Sequence, residues 1–225
     1  DTTRNVVNFS PTFDYRYRFN KQSMLRINYR GRTSQPSMTD LLPITDTSDP
    51  LNISKGNPSL KPSYTNSFML FYNTFLPEKQ QSMMARLTFS NTINSVSNTV
   101  TYDEETGARI TQPKNINGNW SASGGFVFNT PLKNKKFTVS TFSDGSYNNM
   151  VGFTSLSGQT DSQKNTTRSL NLSERLNGTF RNDWFEFGLN GGIRYNVSKS
   201  TLQPQSDKET FDYSFGASSN VTLPW

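Results

Sequence analysis

From Phe13 to Phe19 the chain alternates strictly, with Phe13, Tyr15, Tyr17 and Phe19 at odd positions and Asp14, Arg16 and Arg18 at even ones. Successive side chains of a β-strand point to opposite faces, so this order makes one aromatic face and one ionic face. A helix would scatter both kinds around its axis. After Asn20-Lys21-Gln22 the pattern resumes, with Ser23, Leu25, Ile27 and Tyr29 against Met24, Arg26, Asn28, Arg30 and Arg32, which predicts a hairpin closed by a short polar turn.

The period recurs downstream. Tyr64, Phe68, Leu70 and Tyr72 share one parity; after Pro77-Glu78-Lys79-Gln80, so do Met83, Ala85, Leu87 and Phe89. Trp120, Ala122, Gly124, Phe126 and Phe128 lead through a turn near 130–135 to Phe137 and Val139. Leu170, Leu172, Leu176 and Phe180 precede Arg181-Asn182-Asp183, and Phe185, Phe187, Leu189, Ile193, Tyr195 and Val197 follow it. Phe211, Tyr213, Phe215, Ala217, Val221 and Leu223 come last, for about nine strands. Connections near 20–22, 77–81, 130–135 and 181–183 are short, while those near 33–62, 99–117, 149–165 and 199–209 are long. In an antiparallel up-and-down meander this alternation gathers short turns at one end and long loops at the other, as in an outer-membrane barrel.

Composition agrees with a chain ordered by something other than an aliphatic core. Ser, Thr and Asn make up 80 of the 225 residues, yet 17 Phe, 9 Tyr and 3 Trp are far more aromatic content than disordered chains carry. No apolar run approaches the ~18 residues of a spanning helix, which barrel strands do not need. The absence of His and Cys removes disulfides, Cys/His zinc sites and every triad with an imidazole base, so the chain is expected not to be an enzyme.

Aromatic residues cluster at two levels. Tyr17, Phe19, Phe71, Phe75, Phe126, Phe128, Phe137, Phe180, Trp184, Phe185, Phe187 and Trp225 lie near the short turns; Tyr29, Tyr64, Phe89, Trp120, Tyr147, Tyr195 and Phe211 lie further along. The levels are about eight residues apart, which at ~3.3 Å per residue and ~40° tilt is about 20 Å, close to the ~25 Å apolar band of a membrane barrel. Arginine costs ~2–4 kcal/mol at the bilayer midplane, so the apolar face must meet lipid. Arg16, Arg18, Arg26, Arg30, Arg86, Arg194 and Asp212 are then expected to face the interior. Glu174 falls on the lipid parity between Leu172 and Leu176, so a bulge or a shifted register is expected there.

Three pieces of the first long connection carry a further observation: Gln35-Pro36-Ser37, Asp49-Pro50-Leu51-Asn52-Ile53 and Gly56-Asn57-Pro58-Ser59-Leu60-Lys61-Pro62. With the Tyr- and Arg-bearing strand before them, they resemble the barrel domain of TonB-dependent receptors and the related outer-membrane β-barrel proteins of Bacteroidetes, in which GNP and L-K-P-E precede a strand. Ser63 stands where that pattern has Glu, and Asn115-Ile116-Asn117-Gly118 adds a second similarity. Read on the residues alone, Gly56 and Asn57 can adopt positive φ while Pro58 and Pro62 stiffen the chain before pairing starts at Tyr64.

The resemblance implies a Gram-negative outer-membrane transporter for a siderophore, glycan or peptide, with an N-terminal plug, a TonB-like energy coupler and a surface lipoprotein as partners. Residues 1–225 are then expected to be one segment of a larger transmembrane β-barrel, in contact with lipid, plug and the remaining strands. The interior arginines Arg16, Arg18, Arg26, Arg30, Arg86 and Arg194 are candidate contacts for substrate or for plug carboxylates. The alternative is a soluble all-β binding or adhesion module whose apolar face forms an ordinary core.

Other constellations read as structural, and no catalytic, metal or cofactor-binding residue is expected. Asp40, Asp46, Asp49 and Asn52 share an oxygen-rich loop without calcium-loop spacing, and Asp103-Glu104-Glu105-Thr106-Gly107 reads as a polar hairpin tip. Gly124-Gly125 and Gly191-Gly192 sit inside strands, where no phosphate loop forms. Glu186 and Asp212 show no sign of a glycosidase pair, and cations alternating across a pleat do not make a nucleic-acid surface.

Overall fold

The computed structural model describes residues 7–132, 135–156 and 158–222. In chain order the strands are β1 (Thr12–Arg18), β2 (Ser23–Ser34), β3 (Thr45–Asp46), β4 (Asn52–Lys55), β5 (Ser63–Leu76), β6 (Gln81–Ile93), β7 (Ser95–Tyr102), β8 (Arg109–Ile116), β9 (Asn119–Pro131), β10 (Phe137–Thr154), β11 (Gln163–Arg181), β12 (Phe185–Ser200) and β13 (Lys208–Val221). Single helical turns at Met38–Leu41 and Pro204–Ser206 interrupt the connections, and among the described residues no helix is long and apolar enough to cross a membrane. Leu223 and Trp225 lie outside the described residues.

Nine strands form one antiparallel sheet in the order β1-β2-β5-β6-β9-β10-β11-β12-β13, open at β1 and β13. Its register is continuous. Tyr15, Ile27, Leu70, Leu87, Gly124, Gly145, Leu172, Tyr195 and Phe211 stand opposite one another in a row that crosses every strand. Because a one-residue slip would exchange the faces, this row fixes one apolar side for the whole sheet. Nothing among the described residues covers that side: Leu87 is 58% exposed, Leu189 55% and Ile193 51%. A soluble sandwich would need a second sheet over these residues.

The second sheet that does exist, β3-β4-β8-β7, lies at the long-loop end. Connections 33–62 and 99–117, read from sequence as loops, therefore contain strands. The β7–β8 hairpin continues the β6–β9 pair beyond a bend at Asn94 (φ 54°) and Gly118 (φ 121°). Asn94 N–H donates to Asn117 Oδ1 at 2.6 Å, and Asn115 Nδ2 donates to the carbonyls of Asn94 and Lys61 at 2.9 Å each. At Gly118 a side chain would be doubly excluded, since a Cβ would also lie 2.8 Å from Val151 Cγ2. Pairing of β4 with β8 is parallel, from Asn52↔Arg109 to Ser54↔Thr111, and a bridge from Thr101 to Asp161 ties in the loop after β10. The alternating apolar pattern that marks the wall is missing here because side-chain amides, not lipid, hold these strands.

Packing follows the same division. The buried apolar residues among those described are Leu60, Ala108, Ile116 and Val151, all at the loop end. The Gly56–Pro62 strap supplies the deepest of them, Leu60, 2% exposed. Contrary to expectation, neither Gly56 nor Asn57 has positive φ. Gly56 is required by close approach, because a Cβ there would lie 1.8 Å from the Leu42 carbonyl oxygen. Asn57 instead bonds sideways, its Nδ2 donating to the Pro113 carbonyl at 2.9 Å.

Two further expectations are corrected. Phe71 stands opposite Arg26 and Arg86, and Phe75 opposite Ser82, so both point to the polar side and leave the aromatic band near the turns. At Glu174 there is neither bulge nor slip: Leu172, Glu174 and Leu176 pair regularly with Tyr195, Ile193 and Gly191. Glu174 lies on the apolar side, and the Thr141 and Ser143 hydroxyls of β10 donate to its two oxygens.

Truncating Leu60 to Ala is expected to cost about 2–5 kcal/mol of local stability. Hydrogen exchange should rise in β7, β8 and the strap while the middle of β10 to β12 keeps its protection; uniform loss of protection would show that wall and cap unfold as one unit.

A charged inner face as the candidate functional site

Opposite the apolar side, one register level carries six ionic residues. Arg16, Arg26, Phe71, Arg86, Gly125, Asp144, Ser173, Arg194 and Asp212 follow one another across all nine strands. Period-2 pleating sends each of these side chains to the same side, and the register brings them level. The structure thus joins four of the six expected arginines, Arg16, Arg26, Arg86 and Arg194, in one belt. Arg18 lies one level toward the turns, opposite Met24, and Arg30 lies toward the loops, opposite Thr12.

Partnering along the belt is uneven. Asp14 bridges the β1 end: Arg16 Nε donates to its Oδ1 at 3.1 Å and Arg26 Nε to its Oδ2 at 3.0 Å. At the turn end Arg181 Nε donates to Glu186 Oε2 at 2.7 Å. Arg86, Asp144, Arg194 and Asp212 form no ion pair among the described residues. Arg86, Asp144 and Arg194 are spaced two strands apart, about 10 Å, so each presents its charge to solvent. A groove of about 360 Å³ opens between them, edged by Ser123, Ser146, Asn171 and Asn196. Gly125 gives it width, since a Cβ there would lie 3.0 Å from Asp144 Oδ1.

Such an arrangement can bind and orient a charged, hydrogen-bonding solute. Glu186 and Asp212 lie on neighbouring strands about eight residues apart, roughly 25 Å, too far for paired acid-base work. Among the described residues no three acidic side chains converge. In the first long connection Asp46 accepts from the Ser48 N–H at 3.0 Å, and Asp49 from the Leu51 N–H and the Asn52 amide at 2.9 and 2.8 Å. Each carboxylate is thereby turned to its own turn. Asp144 was not singled out in the sequence, because Thr141, Ser143 and Gly145 blur the alternation around it and only the cross-strand register places it in the belt.

Asp103 confirms the polar hairpin tip. The Thr106 N–H and hydroxyl, at 2.8 and 2.9 Å, hold its carboxyl below the usual carboxylate range, against the opposing effect of desolvation. Its ordering of the tip is therefore present above the unfolded value and lost as pH falls through the lower folded one. Exchange of the Glu105 and Thr106 amides, corrected for intrinsic rates, is expected to accelerate only below about pH 4. An equal acceleration between pH 7 and 5 would contradict this cause.

Comparison with known proteins agrees with this geometry. A family model described as "Outer membrane protein beta-barrel family" matches residues 1–222. No curated protein matches the chain. An apolar side left bare across nine strands, a polar opposite side and this match have one common explanation: the chain belongs to the outer membrane protein β-barrel family, and its strands form the wall of a barrel in the outer membrane.

Proposed function

We propose that this wall belongs to a transporter of the TonB-dependent-receptor type in a Gram-negative bacterium of the Bacteroidetes kind, one that takes up a siderophore, glycan or peptide and catalyses no reaction. On this reading residues 1–225 are one segment of a larger barrel whose other strands pair with β1 and β13, with a plug inside. Energy comes through a TonB-like coupler, and a surface lipoprotein delivers substrate at the loop end. The motif resemblance around Gly56–Pro62 supports the family of transporter. The observation that carries the reading is the belt itself. Its arginines outnumber its carboxylates, and Arg86 and Arg194 keep free guanidinium groups beside a groove on the side away from lipid.

Arg86→Gln with Arg194→Gln, made in the intact protein, should lower uptake of its nutrient about tenfold or more at limiting concentration, the size of one lost charge-assisted contact. Assembly is followed separately by the heat-dependent mobility of the barrel. Uptake should also cease when the proton gradient is collapsed. Full uptake by an assembled double variant would remove the belt from the path, and uptake that persists without the gradient would remove the coupler.

A further inference from the structure

Five rings follow one another along the loop-side rim of the lipid face: Tyr29, Phe68, Phe89, Trp120 and Tyr147, with neighbouring centres 4.7–6.4 Å apart. The row of rings stops at β10. From Trp120 the same register level runs on through Asn149 to Arg168 and Lys199, which stand directly opposite one another on the outward side of β11 and β12. Like charges so placed are destabilising, and the pair weakens this edge of the wall until an anion neutralises it.

Both side chains are exposed, and neither forms an ion pair among the described residues. The carboxylates at the start of β13 are held by other donors: Asp207 accepts from the Ser200 N–H at 2.7 Å and Glu209 from the Tyr195 hydroxyl at 2.9 Å. Lys164, four residues further toward the loops on the same parity as Arg168, adds to the positive field.

Height identifies the anion. Interfacial aromatic residues sit at the level of lipid headgroups. Arg168 lies two residues beyond Leu170, the partner of Tyr147, which at ~3.3 Å per residue and ~40° tilt sets it about 5 Å above that ring. A headgroup phosphate lies at this level, and its acyl chains lead back along Leu170 and Leu172 into the apolar band.

We propose that Arg168 and Lys199 form a site for the phosphate of a lipid in the loop-side leaflet. A guanidinium matches two phosphate oxygens in its plane, and the ammonium of Lys199 brings a point charge to a third. The site lies on the opposite side of the wall from the arginine belt and stands whether or not the barrel transports.

The test uses the intact protein in nanodiscs containing dioleoylphosphatidylcholine and dioleoylphosphatidic acid, whose phosphate is terminal, with native mass spectrometry to read the lipid retained. The wild type should retain phosphatidic acid about tenfold better. Arg168→Gln with Lys199→Gln should remove that preference, while Lys21→Gln with Lys79→Gln, the same loss of charge at the short-turn end, should keep it. Equal retention of the two lipids by the wild type overturns the proposal, as does a preference that survives in the first variant or disappears in the second. Excess inorganic phosphate should leave the lipid in place; displacement would make the pair a site for free phosphate and overturn the lipid assignment. A dimer that separates in the Arg168 and Lys199 variant would put a second copy on the pair and also overturn it. If that variant does not assemble, the wild-type comparison and the short-turn variant decide.

Discussion

Unbroken antiparallel register across nine strands is the constraint from which the other features follow. In hydrocarbon an unpaired backbone amide or carbonyl has no partner, so a spanning wall must satisfy every such group strand to strand. Pairing in turn fixes parity: with Leu87 opposite Gly124 and Leu172 opposite Tyr195, Arg86 and Arg194 have only the other side to occupy. The ladder thus divides apolar from ionic residues without a packed interior. This explains how a chain so rich in Ser, Thr and Asn holds a fixed structure, since the bilayer takes the place of a core.

At the loop end different physics operates. There the protein has a small interior of its own around Leu60, Ala108 and Ile116, and side-chain amides of Asn57 and Asn115 clamp segments distant in sequence. Bends at Asn94 and Gly118 redirect one wall hairpin into this cap. The cap therefore moves with β6 and β9 and is no free loop, which gives any solute entering from that side a structured surface to meet.

Legibility in the sequence followed the source of order. Each of the nine wall strands was readable, because an apolar medium on one side and water on the other impose a two-residue period along every strand between them. The belt was half readable: Arg16, Arg26, Arg86 and Arg194 show their parity, but that they stand level is a property of register. Asp144, among Thr, Ser and Gly, shows no parity. β3, β4, β7 and β8 escaped because their residues answer to specific amide contacts and not to a solvent boundary. Glu174 escaped for the opposite reason, since its parity was plain and a rule against charge in lipid argued it away; the Thr141 and Ser143 hydroxyls that make it tolerable become visible only once β10 is laid beside β11.

Placing the two sides in their solvents is the most direct measurement. Spin labels at Ile193 and at Arg194, neighbours on β12, are compared in the reconstituted protein for collision with oxygen, which concentrates in the bilayer, and with a water-soluble nickel complex. The account predicts high oxygen and low nickel collision at position 193 and the reverse at 194. Oxygen-rich surroundings at 194 with a shielded 193 would contradict it.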